Sequence, residues 1–139
     1  MKKIAVFLLF SGLCLLTSCQ SSKLSMKALI KDVESYHHDL LFERYEIAAK
    51  NIAPESRASW LESMQSQKLH FAEIEIASYA PCASGEIVNK EEQDRCAVII
   101  SQVEWYANGS PSVHSARVYS TWQYNKDAKR WLIVEQEQR

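Results

Sequence analysis

The hydrophobic residues of this chain change their spacing once, near residue 69, and that change limits the available folds more than any other feature. From 26 to 48 the apolar positions fall at Met26, Leu29, Ile30, Val33, Tyr36 or His37, Leu40, Leu41, Ile47 and Ala48. This three-four spacing predicts an amphipathic helix of about six turns, with Ser25 as its N-cap. Lys27, Lys31, Glu34, His38 and Asp39 lie on its solvated face. Pro54 breaks the pattern, because proline lacks an N–H and disfavours helix at the residue before it, yet suits the first turn of a new helix. A second, shorter helix is expected over Pro54–Gln67, with Ala58, Leu61 and Met64 inward and Trp60 at the edge.

Beyond residue 69 the period is two. "FAEIEIASYA" (71–80), "CAVIISQVEWYA" (96–107), "HSARVYSTWQY" (114–124) and "RWLIVEQ" (130–136) read as strands. "NGSPS" and "NKDA" supply turns between the last three. Four consecutive strands with short connections make an antiparallel meander, whose single apolar face needs a cover; the amphipathic helices supply it. The expectation is therefore an α+β domain of two N-terminal helices packed on a bent four-stranded antiparallel sheet.

The second strand carries Val98 and Ile100 on one face but Val103 and Trp105 on the other. If Cys82 opposes Cys96, then Ala80 opposes Val98 and Ser78 opposes Ile100, which puts them on the face of Ile74 and Ile76. One extra residue near Ser101 and Gln102 would restore the apolar face, so a β-bulge is predicted there. This element order, ending in the hairpin "TWQYNKDAKRWLIVE" (121–135), is similar to the NTF2-like or cystatin-like fold over about 26–137.

Upstream, Met1, Lys2 and Lys3 precede an uncharged run from 4 to 16, followed by small polar residues, the marks of an export signal. Thirteen helical residues span about 20 Å, short of the roughly 30 Å hydrocarbon layer. Leu16-Thr17-Ser18-Cys19 resembles the lipobox of bacterial lipoproteins. That resemblance implies a diacylglyceryl thioether on Cys19, cleavage after Ser18 and acylation, of the palmitate type, at the new amino terminus. Cys14 is the rival site, but bulky Leu13 precedes it where the pattern wants a small residue; an incidental cysteine behind an ordinary signal is the bland alternative. Gln20 is not the Asp that favours inner-membrane retention, which implies an outer membrane facing the periplasm. Two or three acyl chains on one residue hold far better than a single marginal chain, and the tether to residue 25 reaches at most about 20 Å. The chain thus divides into a signal peptide (1–18), a lipidated cysteine with a short tether (19–25) and one α+β domain (26–139).

Removing residues 1–18 from the 139 leaves 121, enough for one core. The mature chain has 14 Lys+Arg against 17 Asp+Glu and no basic run, which argues against nucleic acid as a partner. Cys82 and Cys96 are then an even pair in an oxidising compartment, read as a disulfide. A metal site joining them to His70 and His114 fits none of the usual zinc spacings, so no metal or other cofactor is expected.

The NTF2-like resemblance implies a cleft between helices and sheet that holds a ligand in many members, sometimes with an Asp and a His moving a proton. Tyr36, His37, Trp60, Trp105 and Trp122 are the candidate lining. The same aromatic stripe, with Tyr45, Tyr79 and Tyr119, also reads as ordinary core, and a lone histidine beside Tyr36 as a packing residue. Asp32, Asp39, Asp94 and Asp127 fall on polar faces or loops, so general acid/base chemistry has no evident source and no catalytic residue is named. The expected role is a non-enzymatic envelope lipoprotein that binds a protein partner or assists assembly; the alternative is a small-molecule binder or minor enzyme using the cleft.

Overall fold

A computed structural model of the chain describes residues 26–82 and 95–139. The lipobox, Cys19, the tether, Ser25 and Asp94 lie outside the described residues.

The expected six-turn helix is broken. Helix α1 covers Met26–Leu41, and a short α2 follows at Tyr45–Ala48, running into a 3-10 turn at Ala49–Asn51. The two positions that would carry the apolar stripe past Leu40 hold Glu43 and Arg44, so nothing on the core side rewards continuing. Glu43 instead takes a left-handed φ of 56°. Its N–H donates to the Leu40 carbonyl at 3.0 Å and that of Arg44 to the Asp39 carbonyl at 2.8 Å, the paired bonds of a Schellman C-cap. The Arg44 guanidinium also turns back onto the Asp39 carboxylate at 2.8 Å. Asp39, expected on the solvated face, is consequently buried at 5% exposure.

Helix α3 spans Pro54–Gln67, with Pro54 in its first turn as expected. Its packing differs from expectation. Ala58 is exposed, no residue of α3 is fully buried, and the row facing the sheet is Trp60, Met64 and Gln67. The segment before α3 is pinned to the sheet: the Ala53 N–H donates to the Ile133 carbonyl at 2.8 Å.

The sheet is the expected meander, β1 (Leu69–Pro81), β2 (Cys96–Ala107), β3 (His114–Asn125) and β4 (Arg130–Gln138), neighbours in that order. Cys82 and Cys96 form a disulfide between β1 and β2, and Ala80 opposes Val98 and Ser78 opposes Ile100 as the pairing required. The register does shift beside Ser101, but the extra residue sits in the other strand. β2 keeps one phase throughout, turning Ala97, Ile99, Ser101, Val103 and Trp105 toward the helices. Strand β1 adapts instead: Ala72 and Ala77 are left without a partner, so Phe71, Ile74 and Ile76 all meet that face. Val98 and Ile100, expected on the face of Ile74 and Ile76, are on the opposite one. Moving the irregularity to β1 costs little, because β1 is an edge strand with one neighbour to satisfy.

The core lies between α1 and this face. Leu29, Val33, Tyr36 and Leu40 from α1 meet Ile99, Trp122, Trp131 and Ile133 from the sheet. Asp32 of α1 accepts the Trp131 backbone N–H at 3.0 Å, which ties the helix to β4. Among the described residues no helix is long and apolar enough to cross a membrane.

Candidate functional site

The core fills only part of the space between helices and sheet. At the C-terminal half of α1 the face stays open into a cavity of about 240 Å³. Its floor is the inward row of β2 and β3, with Ser101, Val103, Trp105, Val118 and Ser120. Tyr36, His37 and Leu40 form the wall on α1, Trp60 and Met64 the roof on α3, and Gln136, Glu137 and Gln138 the rim on β4. Local sequence explains each placement. The 36, 37, 40 spacing keeps those side chains on the inner flank of α1, period two sends alternate residues of β2 and β3 upward, and an unpaired Val134 shifts β4 so that Gln136 follows Ile133 onto the inner face.

Four of the five expected lining residues meet there: Tyr36, His37, Trp60 and Trp105. Trp122 does not. It is 0% exposed and packs against the Tyr36 ring, nearly perpendicular to it at a ring-centroid distance of 5.8 Å, beneath the cavity wall. Its indole N–H donates to Ser120 Oγ at 2.9 Å, so the buried polar atom is satisfied within the core.

Ser101 was not named from the sequence and turns out to be the nearest polar neighbour of His37, with Oγ 3.2 Å from Nε2 across 64 positions of chain. Its signal was its place in the constant phase of β2, between Ile99 and Val103. A serine and a histidine at this distance are the first requirement of nucleophilic catalysis, but two others are lacking. Burial lowers the His37 pKa to about 4, far from the value near operating pH that suits a general base. Ser101 also sits mid-strand between two neighbours, where backbone N–H groups serve the ladders and none is left to stabilise an oxyanion. The pair is a neutral polar anchor in an apolar wall.

Tyr36 is the second anchor. Burial raises its pKa, so the phenol keeps its proton; hydrogen bonds from the Gln136 and Trp60 side chains act in the opposite sense without reversing this. The Gln136 amide donates to the Tyr36 oxygen at 3.3 Å. Glu137 is the one ionised side chain among the described lining residues, and it is exposed and paired with Arg139 at 2.8 Å.

The other candidates lie elsewhere. His70 pairs with Glu43 and stacks on Tyr106, His114 stacks on Trp105, and the two cysteines are consumed by their bond. Among the described residues no three His, Cys, Asp or Glu side chains are grouped to hold a metal ion.

No family model matches this sequence, and no curated protein matches it either. Solved structures do. The chain is similar to a domain from Exiguobacterium sibiricum 255-15 described as a candidate calcium/calmodulin-dependent kinase II association domain. The TM-score is 0.59 at 11% identity, covering 82% of this chain and 92% of that one. It is also similar to the intermembrane space region of the chloroplast protein ARC6, at a TM-score of 0.52 and 12% identity, over 82% and 95% of the respective chains. The fold is α+β of NTF2-like type. At such identities the likeness carries the fold and nothing more.

Proposed function

We propose that this protein is a lipid-anchored binding protein of the bacterial envelope, held at the outer membrane through Cys19 and facing the periplasm. Its domain takes a small ligand into the cavity between α1, α3 and the sheet and performs no chemistry on it. The observation that carries this reading is the cavity itself: a concave, mostly apolar chamber with a few buried polar groups is the usual form of a small-molecule site, and at about 240 Å³ this one is at the small end. The neutral state of His37 speaks for binding rather than catalysis. The lipobox supports the anchor, and the Cys82–Cys96 bond fits an oxidising compartment.

Native mass spectrometry of the full-length chain extracted from its own membranes tests both halves. The expected species begins at an acylated Cys19, keeps the disulfide and carries a small molecule that Val118→Phe, which fills the cavity, no longer retains. An unprocessed, unacylated chain would remove the anchor; retention of the same molecule by the filled variant would remove the cavity as its site.

A second reading, a protein partner or an accessory role in envelope assembly, is favoured by the α1–α2 corner, where Phe42 is 64% and Ile47 45% exposed. Site-specific crosslinking from those two positions in cells should then trap one envelope protein.

A further inference from the structure

The proposed binding role leaves the ligand's chemistry open, and the polar groups of the cavity restrict it. Each buried hydroxyl can be followed to its partner. Ser120 Oγ receives the Trp122 N–H and donates to the Ile99 carbonyl at 3.4 Å. Ser101 is engaged with His37. The Gln67 amide, toward the mouth, donates to Ser63 Oγ at 2.7 Å. Tyr36 differs: its oxygen is approached by the amide of Gln136 and also bonded with the Trp60 side chain, whose indole has only an N–H to offer. With two donors directed at the oxygen, the phenolic hydrogen remains to be donated, and the ring stands in the cavity wall. Charge narrows the class further. Glu137, the one ionised side chain among the described lining residues, is paired with Arg139, so none of the described residues lining the interior offers a free counter-charge. An ionised ligand would give up its hydration for no partner, a loss far larger than an apolar contact returns.

Resting on the binding reading above, we infer that the cavity takes a small, uncharged molecule with a flat or branched apolar body and one hydrogen-bond acceptor, a carbonyl or ether oxygen, that receives the Tyr36 hydroxyl proton. The body lies against Trp60, Trp105 and Val103. About 240 Å³ equals the liquid volume of about eight waters, so the occupant is on the order of ten non-hydrogen atoms rather than a lipid chain or a nucleotide. Tyr36 is then both a support for Trp60 and the group that reads the acceptor.

Three probes of nearly equal size separate the elements of this claim: benzamide, neutral with a carbonyl; benzoate, its anion counterpart; and toluene, which lacks an acceptor. Each is titrated into the intact lipidated chain in a non-ionic detergent, with 5-fluorotryptophan resonances of Trp60 and Trp105 reporting occupancy and that of Trp122 reporting an intact core. Partition into micelles is common to wild type and variant, so their ratio is free of it. Benzamide is expected to move the Trp60 and Trp105 signals, with benzoate at least about tenfold weaker. Tyr36→Phe should weaken benzamide about fivefold, the worth of a neutral hydrogen bond of about 1 kcal/mol, and weaken toluene clearly less. Equal binding of benzoate and benzamide, or equal weakening of toluene and benzamide by Tyr36→Phe, overturns this ligand class while leaving the cavity as a binding site. Should no probe shift either signal, or should Val118→Phe bind all three as wild type does, the site and the ligand class fall together. Because Tyr36→Phe removes an acceptor from two donors, Trp122 must keep its wild-type shift. If it moves, Gln136→Leu takes over as the variant: it leaves the phenol in place with one donor fewer, so benzamide should keep at least half its wild-type affinity, and a loss beyond about fivefold for benzamide counts against the proposal.

Discussion

Protonating His37 would set a cation in an apolar wall, 3.2 Å from a serine hydroxyl. Glu34, His38 and Glu75 border its other side, but burial is what holds its pKa at about 4, against 6.5 for the free side chain. Between those values the unfolded chain binds a proton that the folded chain refuses, so stability rises with pH over that interval. Stability present above pH 6.5 is therefore lost as the pH falls toward 4, by up to about 3 kcal/mol from this group alone. Urea midpoints at pH 7, 5.5 and 4.5 should fall steeply for the wild type and much less for His37→Gln; parallel lines would mean that His37 is not the group responsible. The inward place of His37 was legible from its spacing beside Tyr36. Its partner was not, because a serine within an apolar strand reads as an interruption of the phase when it is in fact part of it. A single substitution elsewhere tests a local claim. Lys68 ends α3 with a left-handed φ of 48°, a conformation in which a Cβ crowds the backbone. Lys68→Gly should raise stability by about 0.5–1 kcal/mol in thermal unfolding; a loss would show that the lysine side chain contributes more than its backbone costs.

At the scale of elements, type and order were legible and the exceptions cluster where two periodic patterns compete. The strands lie where alternation put them because period two is a strong signal over about ten residues. One bulge lies at the expected point along the β1–β2 pair but in β1 rather than β2, since sequence alone shows that two faces disagree and not which strand yields. The spacing of three between Phe71 and Ile74 was the available hint that β1 is the one out of phase. In the same way Glu43 and Arg44, on what would be the stripe, marked the break after α1. The disulfide gives these elements a measurable tie. It closes a loop of 14 positions between neighbouring strands, for which the chain-entropy model gives about 3 kcal/mol. With Cys14 removed and Cys19 acylated, as proposed, a reductant has no other target. Its addition should lower the urea midpoint of the wild type to that of the Cys82→Ala/Cys96→Ala double variant and leave the variant where it was. Equal midpoints before reduction would show that the bond adds nothing to stability.

For the whole molecule, the relation between anchor and cavity follows from the direction of α1. The proposed lipid is attached seven residues before Met26, whereas the cavity wall is Tyr36, His37 and Leu40. The 14 steps from Met26 to Leu40 put the far edge of the wall about 21 Å along the helix, and the tether adds at most about 20 Å more. On the proposed anchoring, and with α1 pointing away from the bilayer, the end of the domain at Met26 would be held near the headgroups and the cavity would face away from them, within reach of water-soluble ligands rather than of acyl chains. The fold class needed only the order of helices and strands to be legible; the distance from Met26 to the cavity wall needed the packed helix, which ends at Leu41 just past that wall. Paramagnetic lipid headgroups in nanodiscs carrying the intact protein should broaden the amide signals of Lys27 to Lys31 strongly and those of Leu40 to Arg44 little, since the effect falls steeply with distance. Uniform broadening would mean that the tether lets the domain tumble without a preferred face. The reverse gradient would put the cavity against the membrane, and with it the choice of a water-borne ligand would have to be abandoned in favour of one drawn from the bilayer.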